Sequence, residues 1–173
     1  MNTILRSIPS FLTVLLAARA FAADVETVTI KTLRAQMRYD IAEFDARPGQ
    51  QVKLVFQNDD DMPHNVCFFQ PGTDVIAVSN KQMEKPEDAL KRNWLPDDAR
   101  MWAHSKMLNP KESETLAFTA PEKAGVYPYV CTFPGHAAIM QGKMRVFAAG
   151  PGLAELKLSS TSVIGKSCRS FPS

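Results

Sequence analysis

The stretch QVKLVFQN, residues 51–58, carries the clearest structural signal in the chain. Its apolar side chains Val52, Leu54 and Phe56 stand at every second position, and the polar Lys53 and Gln57 lie on the opposite face. Successive side chains of a strand point to opposite faces, so this alternation predicts a strand with one buried face and one solvated face. The sequence around residues 51–58 should therefore belong to a sheet that covers a core.

Similar alternation elsewhere predicts further strands at 24–36, 37–44, 64–70, 112–120, 125–131 and 142–148. The acidic run at 59–61 predicts a solvated turn. Residues 79–107 lose the alternation and favour helix, with Ser79 and Gln82 as a capping box and Pro86 in a first helical turn. About seven or eight short strands with one helical insertion are typical of an all-β antiparallel sandwich or barrel.

The N-terminus has the pattern of a secretory signal peptide. A basic residue precedes a mostly apolar run, and Ala20-Phe21-Ala22 forms an A-x-A cleavage site. We predict a signal peptide at 1–22, one domain at 23–148 and a loosely ordered tail at 149–173, with an uncleaved membrane anchor as the alternative for the first segment. The pattern predicts export, and it favours the periplasm.

The charge balance argues against a nucleic-acid partner. The full chain has 20 basic and 18 acidic residues, and residues 1–22 contain two of the basic ones, Arg6 and Arg19, and no acid. The mature chain then has 18 of each sign, a formal net charge of zero. That balance does not favour a strongly anionic partner. The mature chain has no further long apolar segment, so we expect no membrane insertion of it.

The chain has three cysteines, Cys67, Cys131 and Cys168. An odd number in an exported protein requires an explanation, because exported cysteines usually pair. A metal-bound thiolate would remove one cysteine from disulfide chemistry. The other two leave two alternatives, a Cys67–Cys168 disulfide or a buried free thiol at Cys67.

The loop CTFPGHAAIM places Cys131, His136 and Met140 at offsets 0, +5 and +9, and the segment MPHNVCF adds His64 from upstream. Taken singly, a histidine or methionine in such a fold is usually structural, and an exported cysteine usually forms a disulfide. Together, one thiolate, two imidazoles and one thioether are a soft ligand set that suits copper cycling between Cu(I) and Cu(II). The four residues therefore predict a copper site.

The sequence also resembles a known family. CTFPGH followed by Met140 resembles the copper loop of the azurin and auracyanin branch of the cupredoxins, the small blue copper proteins, and MPHN resembles their upstream histidine segment. The resemblance runs from about Val25 to Ala148 and implies a Greek-key cupredoxin sandwich with one type 1 copper ion. The ligands that it implies are His64, Cys131 and His136 in the plane and Met140 on the axis.

The resemblance implies two supporting residues as well. Asn65 should brace the cysteine loop by hydrogen bonds, and the backbone N–H of Phe133 should point at the sulfur of Cys131. Such contacts tune a redox potential.

The function that follows is one-electron transfer by a monomer, with protein partners such as c-type cytochromes or periplasmic oxidoreductases. Copper enzymes of this fold need further histidine-rich sites, and the chain has three histidines, so we expect no enzyme activity. A periplasmic copper carrier is the alternative. The residues expected to surround His136 with an apolar docking surface are Met62, Pro63, Phe133, Pro134, Ala137 and Ala138.

Overall fold

The computed structural model describes residues 25–147, which form two packed β-sheets. The strands are β1 (Val25–Leu33), β2 (Arg38–Tyr39), β3 (Glu43–Ala46), β4 (Gln51–Gln57), β5 (Cys67–Phe69), β6 (Met101–His104), β7 (Ser113–Thr119), β8 (Gly125–Val130) and β9 (Gln141–Val146). The helices are α1 (Val75–Lys81) and α2 (Pro86–Lys91), with 3₁₀ turns at Gln82–Glu84 and His136–Ala138. The predicted signal peptide and tail lie outside the described residues. Within residues 25–147 none of the helices has the length and apolar character that a membrane span requires.

The two sheets have the strand orders β2-β1-β4-β7 and β3-β9-β8-β5-β6. This arrangement confirms the all-β sandwich, but the expectation of a purely antiparallel one is wrong, because β1 runs parallel to β4 and β3 parallel to β9. The single strand predicted at 37–44 is also wrong. Asp40 ends β2 by accepting a hydrogen bond from the backbone N–H of Lys31 at 2.7 Å, and β3 then joins the other sheet. Residues 25–147 therefore contain nine strands rather than seven or eight.

Strand β4 has the predicted two faces. Val52, Leu54 and Phe56 have exposed fractions of 2%, 0% and 0%, whereas Gln51 and Lys53 are exposed. Leu54 stands beside Val28 of β1 and opposite Leu116 of β7. Each such side chain contributes roughly 1.5–3 kcal/mol when it is fully buried. The alternation at 51–58 thus orients one of the two interior strands of the four-stranded sheet.

The helical insertion is shorter than predicted and begins earlier. Asp74, not Ser79, caps α1, since its carboxylate accepts from the backbone N–H of Ala77 at 2.9 Å. Pro86 stands in the first turn of α2, as expected. Residues Met101–His104 form strand β6 rather than helix, and β6 pairs with the edge of β5. This pairing supplies backbone partners that no local pattern of the sequence reveals.

The hairpin of β8 and β9 holds the loop of residues 131–140. The pairs run in antiparallel register from Gly125↔Val146 to Val130↔Gln141, so the loop leaves and re-enters the sheet at the same point. A Cβ at Gly142 would overlap the ring of Tyr129, and Tyr129 is fully buried. Glycine at position 142 lets this aromatic ring pack directly against the backbone of β9.

Candidate metal centre

Backbone hydrogen bonds close the loop of residues 131–140 on itself. The N–H of Cys131 donates to the carbonyl of Met140 at 3.0 Å, and the N–H of Met140 donates to the carbonyl of His136 at 2.8 Å. Gly135 has φ of 79°, a left-handed conformation that glycine adopts without strain. After this turn His136 begins a 3₁₀ turn, and its side chain is buried.

The upstream histidine reaches the loop from a separate segment. His64 forms an isolated antiparallel bridge with Leu108, with N–H to carbonyl distances of 3.1 Å and 2.8 Å in the two directions. The bridge fixes the backbone of His64 just before β5. Strand β5 itself spans only Cys67–Phe69, so it is shorter than the strand predicted over 64–70. The imidazole rings of His64 and His136 are 4.9 Å apart between centroids.

Three potential ligand atoms converge between these segments. The sulfur of Cys131 lies 3.7 Å from Nδ1 of His64 and 3.6 Å from Nδ1 of His136, and all three atoms lie within 4.8 Å of one another. A point equidistant from three atoms with these separations lies about 2.0–2.4 Å from each of them, close to the metal–nitrogen and metal–sulfur distances of about 2.0–2.3 Å in proteins. The donor atoms therefore fit a metal ion bound in their plane.

Burial sets the charges of these donors in the metal-free protein. The exposed fraction is 0% for His64 and Cys131 and 3% for His136. Burial raises the pKa of the Cys131 thiol to about 11, although backbone N–H groups of Asn65 and Phe133 act in the opposite direction. Burial, and then the neighbouring His64, lower the pKa of His136 to about 4. Neutral imidazoles and a thiol that loses its proton to a metal suit a soft metal such as copper.

Met140 completes the set that the sequence predicts. Its side chain is fully buried and belongs to the same apolar cluster as Cys131. Its backbone is tied to both Cys131 and His136 by the hydrogen bonds that close the loop. The buried thioether is a candidate for the weak additional donor that the sequence predicts.

Asn65 joins the two segments that contain the donors. Its side-chain carbonyl accepts from the backbone N–H of Thr132 at 2.8 Å, and its amide donates to the Thr132 hydroxyl at 2.8 Å. That hydroxyl in turn donates to the carbonyl of Trp94 at 2.6 Å. The residue next to Cys131 is thereby held to the segment of His64 and to the end of the helical insertion.

Asp60 is a site residue that the sequence did not single out, because it lies in the acidic run 59–61 predicted to be a solvated turn. The turn is only partly solvated: Asp59 and Asp61 are exposed, but Asp60 has an exposed fraction of 3%. Its Oδ2 lies 3.0 Å from Nε2 of His64. Burial opposes ionisation of Asp60, yet hydrogen bonds from backbone N–H groups and from His64 lower its pKa overall. No local pattern distinguishes the middle acid of three as the buried one.

Within residues 25–147, Cys67 and His104 lie apart from this cluster. Cys67 is fully buried on the other side of its sheet, among Phe69, Val75 and Val130, with its sulfur 3.7 Å from the Thr132 hydroxyl. The alternative of a disulfide with Cys168 falls outside the described residues. His104, on β6, is exposed and its Nδ1 contacts the carbonyl of Ser105 at 3.1 Å.

Comparisons with known proteins agree with this chemistry. Residues 26–147 match the family described as copper binding proteins of the plastocyanin/azurin family. Auracyanin-A of Chloroflexus aurantiacus is 32% identical over 123 residues, covering 69% of this chain and 74% of the relative. Auracyanin-B of the same organism is 37% identical over 124 residues, covering 70% of this chain and 52% of the relative.

A solved structure adds the fold to this likeness. The crystal structure of dithionite-reduced auracyanin from Roseiflexus castenholzii superposes with a TM-score of 0.60 at 35% identity, covering 70% of this chain and 96% of that one. The two-sheet architecture is thus the cupredoxin fold that the sequence analysis expects. Both the matched residues and the fold include the converging His64, Cys131 and His136. The chain belongs to the plastocyanin/azurin family of copper-binding proteins.

Proposed function

We propose that this protein is an exported one-electron carrier whose copper ion is held by His64, Cys131, His136 and Met140. The observation that carries the proposal is the convergence of three buried donor atoms within 4.8 Å of one another, with Met140 buried in the same cluster as Cys131. When bound, copper supplies a site that gains or loses a single electron between Cu(II) and Cu(I). Membership of a blue copper family supports this reading.

The protein's own contribution is to keep the donor atoms in place in both oxidation states. The loop hydrogen bonds fix Cys131 and Met140 relative to each other, and the two bonds of Asn65 fix the loop relative to the segment of His64. Ligands that are already in position need little rearrangement when an electron moves. Their burial also excludes water and substrate from the donors, which favours an electron carrier over an enzyme.

Exposed apolar side chains occur in both segments that contain the proposed ligands. Met62 and Ile139 have exposed fractions of 41% and 48%, and Phe133 contacts the His136 ring with 4.8 Å between ring centroids. Of the four proposed ligands, only His136 has a non-zero exposed fraction. We define the docking surface as Met62, Pro63, Phe133, Pro134, Ala138 and Ile139. Ala137, expected to belong to it, is buried with an exposed fraction of 1% and is excluded.

A transient redox partner, such as a c-type cytochrome or a periplasmic oxidoreductase, would dock on this surface beside His136. Small, weak interfaces are typical of electron-transfer complexes. Export to the periplasm is supported by the signal-peptide pattern of residues 1–22, which precedes the domain proposed for residues 23–148. We further propose that the protein acts as a monomer.

Two matched variants test the docking surface. Ile139→Asp places an acid on it, whereas Val126→Asp places the same acid at a residue of β8 with a similar exposed fraction, 47% against 48%. We expect Ile139→Asp to slow electron transfer with a c-type cytochrome about tenfold, equivalent to about 1.4 kcal/mol, and Val126→Asp to leave it unchanged. Stopped-flow mixing measures both rates, and equal rates for the two variants would reject this surface.

The rate at which the protein loses copper distinguishes an electron carrier from a copper carrier. An electron carrier keeps its copper through repeated cycles of reduction and oxidation, measured as metal content after each cycle. Rapid loss of Cu(I) to a competing chelator, without electron exchange with the cytochrome, would establish carriage instead.

A further inference from the structure

The buried carboxylate of Asp60 receives three hydrogen bonds from two directions. Its Oδ1 accepts from the backbone N–H of Ala35 at 3.0 Å and from its neighbour Asp61 at 2.8 Å. Its Oδ2 lies 3.0 Å from Nε2 of His64. The backbone N–H of Asp60 is itself held by the Thr32 hydroxyl at 2.9 Å. The carboxylate is therefore fixed to the end of β1 and offers one oxygen to the imidazole.

This arrangement decides which nitrogen of His64 holds the proton. A neutral imidazole has one N–H and one lone pair. Since Oδ2 of an ionised Asp60 can only accept, Nε2 of His64 holds the hydrogen and donates it, and the lone pair is left on Nδ1. Nδ1 is the atom that lies 3.7 Å from the sulfur of Cys131.

An amide cannot replace the carboxylate here. An asparagine side chain has one acceptor oxygen and one NH₂ group. If its oxygen stays with the two backbone N–H groups, its NH₂ faces Nε2 of His64 and favours the opposite tautomer, with the hydrogen on Nδ1. If the amide is turned, its NH₂ faces two backbone donors. Three donors converging on two oxygens thus require an acid at position 60.

We propose that Asp60 is a positioning residue of the copper site, which holds His64 in the Nε2–H tautomer with Nδ1 directed at the metal and stabilises Cu(II) relative to Cu(I) by its negative charge. The copper-dependent part of this proposal rests on the proposed function. Partners that hold the second nitrogen of a metal-bound histidine typically change metal affinity 10- to 100-fold when they are removed. A nearby buried negative charge favours the ion of higher positive charge.

The first experiment needs no copper. Long-range ¹H–¹⁵N correlation spectra of the ¹⁵N-labelled, metal-free protein at neutral pH read the tautomer of each histidine. We expect Nε2–H for His64 in the native chain and a population shifted to Nδ1–H in Asp60→Asn. A native His64 in the Nδ1–H form would overturn the proposal.

The second experiment compares Asp60→Asn with Asp59→Asn, which removes the same charge from the adjacent, exposed residue. We expect Asp60→Asn to weaken Cu(II) binding roughly 10- to 100-fold and Cu(I) binding less. Each tenfold difference between the two raises the reduction potential by about 59 mV. Asp59→Asn should change neither affinity by more than about threefold, because an exposed charge is screened. Equal effects of the two variants on affinity and potential would refute the role of Asp60.

The two proposals fail separately. If the native protein takes up an electron reversibly but Asp60→Asn leaves tautomer, affinity and potential unchanged, only the role of Asp60 is lost. If Asp60→Asn changes the tautomer and copper affinity in a protein that exchanges no electrons with redox partners, the role of Asp60 in positioning stands and electron transfer is rejected.

Discussion

The hydrogen bonds between Asn65 and Thr132 make a quantitative prediction about stability. Replacing Asn65 by alanine removes both bonds and leaves the backbone N–H of Thr132, a residue with an exposed fraction of 1%, without its acceptor. An orphaned buried donor costs about 1–3 kcal/mol, and the second lost bond adds about 1 kcal/mol. We therefore expect Asn65→Ala to lower the free energy of unfolding of the metal-free protein by about 2–4 kcal/mol.

Urea unfolding of metal-free Asn65→Ala and of Asn109→Ala measures this difference. Asn109 is exposed, and its side chain donates to Glu112 at 3.3 Å on the surface, so its removal should change the unfolding free energy by less than about 0.5 kcal/mol. The midpoint should fall with an unchanged slope, since the surface exposed on unfolding stays the same. Equal losses for the two alanine variants would refute the reasoning that this pair joins the two ligand segments.

Three other perturbations follow from the structure. Gly142→Ala should destabilise the protein by about 1–3 kcal/mol or more, seen as a lower Tm, because the new Cβ would overlap the ring of Tyr129; an unchanged Tm would contradict the packing. The metal-free protein should lose about 2 kcal/mol of unfolding free energy between pH 7 and pH 5, since His136 with a pKa of about 4 binds its proton less readily folded than unfolded; a flat urea-unfolding profile over that range would contradict its burial. Cu(II) binding at pH 7 should release about one proton, from the Cys131 thiol with its pKa of about 11; equal binding enthalpies in calorimetry with buffers of different ionisation enthalpy would contradict this.

The sequence could predict the loop because the information for it is local. Cys131, His136 and Met140 lie within ten consecutive residues between two alternating segments, and the hairpin of β8 and β9 brings them together directly. The two faces of β4 were likewise predictable, because the apolar residues alternate along residues 51–58. His64 could be assigned to the same site because MPHN, residues 62–65, resembles the upstream histidine segment of the family.

The features that the sequence could not predict depend on distant partners. Strand β6 exists because Trp102 packs between Phe68 and Phe118, with ring centroids 5.5 Å and 5.3 Å away, and because β5 offers a free edge. The burial of Asp60 depends on Ala35 from the end of β1. Neither contact leaves a periodic pattern in the residues concerned.

The visible spectrum of the copper-loaded, oxidised protein tests the central claim most directly. Thiolate coordination to Cu(II) predicts an intense blue band that disappears when one electron is added and that is absent in Cys131→Ser. Cys67→Ser changes the other fully buried cysteine of residues 25–147 and should keep the band. A colourless native protein, or a band that survives in Cys131→Ser, would contradict the assignment of Cys131 as the copper thiolate and with it the proposed function.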